Sequence, residues 1–324
     1  MCETDRLWRA FTAQTKVNSD AAAPCVPIEI EGTKSRNYIC KLWEGIYLWG
    51  NEIYEHFISE KLCGMWELNI AAINLCISGR CETALENDTF VYMSPGLLNI
   101  NTNAPKDGYY YPGNLYEGLE IAFDLDVLAD TEPECLRDLG FNKDMLLDMI
   151  KDGKGSFMAE VNDNTIRQAE ELYNALRHAQ LTLPEYRFMT VQLLHTLIHG
   201  GAQEIKGMQY ATKGQRHIAN EVEHKITAEL SRKYTVEELA ADYGISPSAL
   251  KKYFEMVYGM PISHYLKAKR MDRAKQLLAT TKRSVREIAS ECGYENQGKF
   301  ATAFKGSVGI LPLEYRRQNY RGGL

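Results

Sequence analysis

The sequence predicts an α+β protein of two domains, a β-rich N-terminal domain followed by an all-α C-terminal domain. Short apolar runs separated by Gly, Asn, Asp or Pro occupy residues 43–127, which is typical of strands. Helical periodicity takes over from about residue 133, and a two-helix pattern occurs twice after residue 217. A length of 324 residues also favours two domains over one.

Composition excludes several classes of protein. With 45% hydrophobic and 25% charged residues, the chain is too apolar to be disordered. Its longest apolar runs, such as 70–77, are shorter than the ~20 residues of a membrane-spanning helix. The N-terminus lacks the basic and apolar stretches of a secretory signal, and the eight cysteines lack zinc-site spacing. A cytoplasmic protein with reduced thiols is therefore expected.

Charge is divided unevenly along the chain. Residues 217–324 hold 18 Lys and Arg against 12 Asp and Glu, a net charge of +6. The preceding 216 residues have a net charge of −12, which gives the whole chain −6. An acidic body joined to a basic segment predicts that the C-terminal third meets a polyanion.

A pattern of about fifty residues occurs twice in this basic third. Segments 235–244 and 284–293 share Thr or Ser, Val, Glu, Leu or Ile, Ala and Gly at matching positions. The copies continue to match after the glycine, with one extra residue in the second turn. Internal similarity of this kind indicates one supersecondary unit used twice.

Each copy is predicted to form two helices joined by a tight turn. Thr235 and Ser284 are N-cap residues with a Glu three positions later, the capping-box pattern. Gly244 and Gly293 stand where a left-handed residue ends a helix. A second helix then starts, capped by Ser246 in the first copy. This is a helix-turn-helix, whose second helix can lie in the major groove of DNA.

The segment between the two copies, residues 261–280, predicts one amphipathic helix. At ~1.5 Å per residue it would be about 30 Å long. That length is close to the ~34–36 Å between successive major-groove faces of B-DNA. One chain could therefore place two recognition helices in adjacent major grooves.

Residues 217–320 resemble the DNA-binding domain of the AraC/XylS family of transcription regulators, over about a third of the chain. In the second copy the matching residues are Gly293, Tyr294, Asn296, Phe300, Phe304, Lys305, Gly309, Pro312, Tyr315 and Arg316. In the first copy and the spacer they are Leu239, Ala240, Gly244, Leu250, Phe254, Gly259, Tyr265, Arg270, Ala274, Leu277 and Leu278.

The resemblance implies that the exposed faces of the two recognition helices read bases. The DNA-binding residues expected from it are Ser248, Lys251, Lys252, Asn296, Gln297, Gly298, Lys299 and Thr302. Lys can contact guanine O6 and N7, and Gln can contact adenine through two hydrogen bonds. Candidates for phosphate contact are Lys282, Arg283, Arg286, Lys305, Arg316 and Arg317.

For the N-terminal domain the spacing of apolar runs predicts a sandwich or barrel, with strands at 68–77, 82–85, 89–93, 97–102 and 118–123. Asn87 and Asp88 are predicted to form a hairpin turn. The resemblance implies a cupin-like, effector-binding barrel over residues 1–130. It also implies a helical dimerisation segment over 131–200, although those helices could equally pack on their own barrel. Residues 201–216 are then a linker, and 217–324 the DNA-binding domain.

Aromatic rings with polar tips are candidates for a ligand pocket, with core packing as the alternative for each. They are Trp43, Tyr47, Trp66, Tyr109, Tyr110, Tyr111 and Tyr116. An acidic aromatic pocket favours a cationic or apolar ligand over an anion. No metal or cofactor is predicted, because residues 1–130 hold one histidine, His56, and no third ligand accompanies His195 and His199.

The sequence thus predicts a homodimeric transcription regulator, not an enzyme and not bound to a membrane. It would bind double-stranded promoter DNA, respond to a small-molecule effector and contact RNA polymerase, activation being the commoner mode in the family. Two alternatives stay open. One is a cupin-like enzyme joined to a DNA-tethering domain, disfavoured by the missing metal ligands; the other is a regulator controlled by a protein partner.

Overall fold

The structure is a computed structural model that describes residues 15–17, 24–59, 69–85, 88–102, 108–151, 156–205 and 210–320. The chain divides into two compact units, residues 1–210 and 211–324, which are described separately below. No helix in these ranges is both long and apolar enough to span a lipid bilayer.

The N-terminal unit is built on antiparallel strands. They are β1 (Thr15–Val17), β2 (Cys25–Ile30), β3 (Arg36–Trp43), β4 (Ile46–Ile53), β5 (Phe57–Ser59), β6 (Ile70–Gly79), β7 (Cys81–Leu85), β8 (Thr89–Met93), β9 (Leu97–Asn101), β10 (Gly108–Tyr110), β11 (Tyr116–Asp124), β12 (Ser156–Val161) and β13 (Ala202–Glu204). Nine of them form the main sheet in the order β1-β2-β3-β4-β11-β6-β9-β12-β13. Strand β11 is therefore the central strand, while β5 pairs with β10 and β7 with β8.

The prediction of a β-rich N-terminal domain is confirmed, and the five predicted runs correspond to β6, β7, β8, β9 and β11. Strands β7 and β8 form the predicted hairpin, with Asp88 at a positive φ of 55° and Asn87 outside the described residues. The main sheet of the described strands is open, with β1 and β13 at its two ends, so it does not close into a barrel. The segment expected to be helical also contains β12, a six-residue strand too short to show among long helical patterns.

Helices cover one face of the main sheet. They are α1 (Leu125–Thr131), α2 (Glu134–Asp138), α3 (Lys143–Lys151), α4 (Asp163–Arg177) and α5 (Leu183–Thr196), followed by a π-helical turn at Leu197–Gly201. Because side chains alternate along a strand, Leu119, Ile121 and Phe123 of β11 all point to this side. There they share a buried core with Leu172 of α4 and Leu193 of α5. We call this side of the sheet the helix face.

The other side of the sheet, which we call the open face, carries two separate apolar clusters. One contains Val26, Ile28, Ile39, Tyr47, Trp49 and Ala122. The other joins Cys76 and Tyr116 of the main sheet to residues of the small sheets, such as Ile58 of β5 and Val91 of β8. The small sheets therefore pack against one part of the open face.

A buried ion pair fastens α4 to the helix face. Glu52 of β4 is only 5% exposed and accepts hydrogen bonds from the hydroxyls of Tyr38 (2.6 Å) and Tyr54 (2.7 Å). Arg177, in the last turn of α4, lies 2.5 Å from Glu52 and 3.2 Å from Glu117. Burial opposes ionisation of Glu52, but these hydrogen bonds and the Arg177 charge outweigh it and lower its pKa.

The C-terminal unit is helical. After the two-residue strand β14 (Ala211–Thr212) come α6 (Lys213–Ala228), α7 (Val236–Ala241), α8 (Pro247–Tyr258), α9 (Ile262–Thr280), α10 (Val285–Glu291), α11 (Gln297–Val308) and α12 (Pro312–Asn319). Thr212 caps α6 through a complete capping box with Gln215. The prediction of an all-helical C-terminal domain with a repeated two-helix unit is confirmed.

Removing the guanidinium that pairs with Glu52 should destabilise the N-terminal unit. We expect Arg177→Met to lower its free energy of unfolding by about 2 kcal/mol, because Glu52 and Glu117 then lose their cation. The matched control Arg167→Met, exposed on the same helix, should change it by less than about 0.5 kcal/mol. Urea unfolding followed by circular dichroism measures both.

The same experiment has a pH dependence with a defined sign. The pKa of Glu52 is lowered in the folded chain, so the stabilisation it provides is present above the unfolded pKa of about 4.3 and is lost as pH falls. The difference in free energy of unfolding between wild type and Arg177→Met should therefore become smaller below about pH 4. A difference that stays constant from pH 7 to pH 3 contradicts the assignment of this ion pair.

Candidate DNA-binding surface

The first helix-turn-helix consists of α7 and α8. The Thr235 side chain accepts a hydrogen bond from the backbone N–H of Glu238 and so caps α7. The predicted capping box is only half formed here, because the Glu238 carboxylate pairs with Arg232 instead. Gly244 adopts a positive φ of +62° in the turn, and the Ser246 hydroxyl then caps α8.

The second helix-turn-helix consists of α10 and α11. Ser284 and Glu287 form the full capping box of α10, as predicted. Gly293 takes a φ of +77° in the turn. Asn296 caps α11, its side-chain oxygen accepting hydrogen bonds from the backbone N–H groups of Gly298 (2.7 Å) and Lys299 (3.2 Å). Both units therefore consist of two capped helices joined by a turn with a positive-φ glycine.

Helix α8 has one buried apolar side and one exposed polar side. Leu250 and Phe254 are fully buried against the rest of their unit. Ser248, Lys251 and Lys252 lie on the opposite side and are exposed. The Ser248 hydroxyl is 3.0 Å from that of Ser246 at the helix start, which leaves the two lysines as the long side chains of this surface.

The exposed side of α11 carries Gln297, Gly298, Lys299, Thr302 and Lys305. The Thr302 hydroxyl donates to the Gly298 carbonyl oxygen at 3.1 Å, so it is turned back onto the helix. Gly298 has no side chain. Gln297 and Lys299 are thus the groups of the first turn that can extend towards a ligand.

The predicted phosphate-contacting residues fall into two groups. Arg283 is paired with Glu291, which also binds Arg273 at 2.8 Å, and the hydrogen bond from Arg283 is the largest cause of the lowered Glu291 pKa. Arg316 donates to the Arg283 carbonyl oxygen at 2.5 Å. By contrast, no ion pair within residues 210–320 involves the exposed side chains of Lys282, Arg286, Lys305 and Arg317.

Helix α9 connects the two helix-turn-helix units and belongs to the core of both. Its 19 residues span about 28 Å. Near its start, the Tyr265 ring lies 5.5 Å from Phe254 of α8. Towards its end, Ala274 and Leu278 pack in one cluster with Phe300 of α11. The recognition helices are therefore fixed to the two ends of one continuous helix.

Arg270, in the middle of α9, fixes the position of the loop that precedes the first unit. Its guanidinium donates to the carbonyl oxygens of Leu230 (2.8 Å) and Arg232 (2.9 Å). Gly293, from the turn of the second unit, lies against the same group. A Cβ there would be 2.6 Å from Arg270 Nη2 and 2.7 Å from the Leu230 oxygen. Arg270 and Gly293 thus hold the two helix-turn-helix units at a fixed separation.

The predicted ligand-binding aromatics of the N-terminal unit do not form one group. Tyr47 lies in an apolar cluster of the open face, and Tyr111 and Tyr116 lie in the other, with ring centroids 5.4 Å apart. Trp43 packs on the core of the helix face, with Arg187 over its ring. Tyr109 and Tyr110 belong to β10, where the Tyr110 hydroxyl contacts His56, and Trp66 lies outside the described residues.

Sequence reasoning missed the polar side chains of the open face, chiefly Asn51, Asn74, Asn99, Asn101 and Glu120. The signal was present, because Asn74 and Glu120 interrupt apolar runs that were predicted as strands. No group of three or more potential metal ligands occurs in the part of the chain that the structure describes.

Known proteins are similar in sequence to the C-terminal unit. A sequence profile for a helix-turn-helix domain matches residues 239–318. Over 105 residues, 32% of its length, the chain is 30% identical to the HTH-type transcriptional activator AarP of Providencia stuartii and covers 78% of that protein. The chain belongs to the AraC/XylS family of transcription regulators.

Other relatives in the family match a smaller share of their own length. Residue identity to the HTH-type transcriptional activator RhaR of Klebsiella pneumoniae is 34% over 94 residues, 29% of this chain and 34% of that protein. To RhaR of an Enterobacter species it is 24% over 175 residues, 52% of this chain and 61% of that protein. The match thus spans about a third to three fifths of these two relatives.

Solved structures are also similar to about a third of the chain. The C-terminal domain of AraT, a response regulator from Geobacillus stearothermophilus, is 33% identical, with 32% of this chain and 86% of that chain covered and a TM-score of 0.31. The DNA-binding domain of AdpA, solved with a target DNA, is 28% identical, with 31% and 90% covered and a TM-score of 0.30.

The contact between Gly293 and Arg270 predicts unequal effects of two equivalent substitutions. Gly244→Ala adds a Cβ in open space and should cost about 1 kcal/mol of unfolding free energy, from the positive φ alone. Gly293→Ala adds the same strain and a clash with Arg270 and Leu230, so it should cost about 2–3 kcal/mol. Urea unfolding of the C-terminal unit measures both, and equal costs contradict this packing.

Proposed function

We propose that this regulator binds promoter DNA by placing α8 and α11 in two successive major-groove segments on one side of the duplex. The observation that carries the proposal is the pair of capped helix-turn-helix units fixed to the ends of α9. Helix α9 is about 28 Å long, which suits the ~34–36 Å between adjacent major-groove faces. The relatives that are named transcriptional activators support activation as its mode of action.

Base recognition would depend mainly on four side chains. Lys251 and Lys252 of α8 would contact guanine O6 and N7, and Gln297 of α11 would contact adenine. Lys299 is the fourth. Four further residues would line the protein–DNA interface without reaching the bases: Ser248, Asn296, Gly298 and Thr302. The side-chain oxygens of Asn296 and Thr302 are hydrogen-bonded to their own helix, and Gly298 has no side chain.

Phosphate contacts would come from cations without an acidic partner. Lys282, Arg286, Lys305 and Arg317 meet this condition within residues 210–320. Arg316 differs from these four because it donates a hydrogen bond to the Arg283 carbonyl oxygen. This bond holds its side chain along the end of the second helix-turn-helix. Neutralising phosphates releases counterions, so the logarithm of affinity should fall linearly with the logarithm of salt concentration.

The N-terminal unit would be the sensor and the dimerisation unit, with a cupin-like arrangement of strands. A small molecule bound on the open face would change how two copies present their DNA-binding units, which is a shift in population between conformations. Helix α5 would form part of the interface between two copies of the chain. Its Phe188 side chain is 69% exposed there, beside Gln192 and His195. RNA polymerase would be the partner of the DNA-bound form.

Substitution of Lys252 tests base recognition. DNA sequences that bind the full chain are first selected from a random pool, and affinity is then measured at fixed salt. Lys252→Ala should weaken binding to the selected sequence by about 10-fold, because one bidentate base contact is worth about 1–3 kcal/mol. Binding to random DNA should fall by less than about 3-fold, as expected for one lost charge. Lys34→Ala, an exposed lysine of the other unit, is the control.

Three results would contradict the proposal. Equal losses on selected and random DNA would mean that Lys252 contacts only phosphates. An affinity for DNA that does not change with salt concentration would remove the electrostatic part of the argument. Failure to select any preferred sequence would contradict sequence-specific binding altogether.

A further inference from the structure

A carboxylate occupies the centre of the open face. Glu120 lies on β11, the middle strand of the nine, and its direct neighbours across the adjacent strands are Trp49 of β4 and Asn74 of β6. Residues before and after it in β11, such as Leu119 and Ile121, are fully buried, yet Glu120 is only half-buried. Solvent therefore reaches the middle of the sheet at this position.

The surroundings of Glu120 form a polar recess. Asn74 is also half-buried and pairs across the sheet with Asn99, while Asn51 lies one pair of residues further along β4. The small residues Gly118 and Ala122 stand on either side of Glu120 along the same face of β11. The recess separates the two apolar clusters of the open face.

The amide side chains of the recess are held in place by hydrogen bonds. The Tyr116 hydroxyl donates to Asn74 Oδ1 at 2.6 Å. Asn99 Nδ2 donates to Ser156 Oγ at 2.6 Å and to a backbone carbonyl oxygen of β12, and Asn101 donates to Asn99. These bonds fix the walls of the recess, and none of them reaches the carboxylate of Glu120.

Glu120 itself is poorly compensated. Its one hydrogen bond within the described residues comes from Asn51 Nδ2 at 3.5 Å, and no Lys, Arg or His of these residues lies within 4.0 Å. Burial raises the pKa of Glu120 to about 7. Glu52, on the adjacent strand β4 and on the helix face, shows the opposite case, since two tyrosine hydroxyls and Arg177 lower its pKa. The recess thus offers a negative charge that the folded chain does not neutralise.

We propose that the recess binds a small molecule with a primary ammonium group, and that Glu120 is its counter-ion. An ionised carboxylate is an acceptor only, and an ammonium group supplies three donors and the missing positive charge. A neutral polyol would leave the charge uncompensated, and an anion would be repelled. The inference rests on the proposed sensor role of the N-terminal unit and gives the chemical class of its effector.

Matched pairs of probes test the charge requirement on the full chain. Each pair replaces an ammonium by a hydroxyl group: ethanolamine and ethylene glycol, putrescine and 1,4-butanediol, glucosamine and glucose. Isothermal titration calorimetry, with thermal unfolding as a second readout, should show at least one amine binding more than 10-fold tighter than its neutral analogue. Binding should also release up to about half a proton at pH 7, because the ammonium lowers a pKa that is near 7. The neighbouring Tyr116 and Cys81 stay neutral there, since burial raises their pKa values further.

Substitutions assign the effect to one residue. Glu120→Gln should abolish the preference for the amine while keeping the shape of the side chain, and Glu120→Asp should retain part of it. Glu160→Gln makes the same chemical change at an exposed position of β12 and should bind like wild type. Urea unfolding without ligand confirms that each variant is folded; Glu120→Gln should be at least as stable as wild type, because it removes an uncompensated charge.

The outcomes separate this inference from the proposed DNA-binding function. Equal binding of amines and their neutral analogues, binding that survives Glu120→Gln, or no binding of any amine would overturn the inference. Affinity for the selected DNA is measured on the same preparations without amine. DNA binding that persists when amine binding fails would leave the regulator proposal intact and reject only the ammonium site.

Discussion

The DNA-binding unit depends on one constraint, the sharing of α9 between two hydrophobic cores. Because Tyr265 packs on one unit and Leu278 on the other, neither recognition helix can turn without disturbing the same helix. Arg270 adds a polar contact at the midpoint, where Gly293 leaves room for its guanidinium. Two short helix-turn-helix units, each too small for a large core of its own, thereby become one rigid body with two exposed faces.

The N-terminal unit is organised by the alternation of side chains along its strands. On the helix face Glu52 is paired, and the pair stabilises the packing of α4. On the open face Glu120 accepts, among the described residues, one long hydrogen bond from Asn51 and is only half-buried. The fold compensates one carboxylate, and we propose that a ligand compensates the other.

The sequence alone predicted both helix-turn-helix units and the helix between them, because caps, turn glycines and apolar spacing are local features. Glu238 was the exception, since its pairing with Arg232 depends on a loop outside the repeat. The N-terminal sheet was harder to predict. The addition of β12 beside β9 is a long-range pairing without a local signal, and the recess around Glu120 exists only once five strands are aligned. The many Tyr residues led to the prediction of an aromatic ligand pocket, whereas the register of the strands decides which side chains lie together.

The most direct test of the central claim is a footprint on the selected DNA and on a variant with five base pairs inserted between its two contacted segments. Five base pairs turn one segment by about half a helical turn away from the other. If α9 holds the recognition helices rigidly, the original DNA shows two protected segments about one turn apart, and the insertion removes protection of one of them. Protection of both segments with unchanged affinity after the insertion would contradict a rigid arrangement.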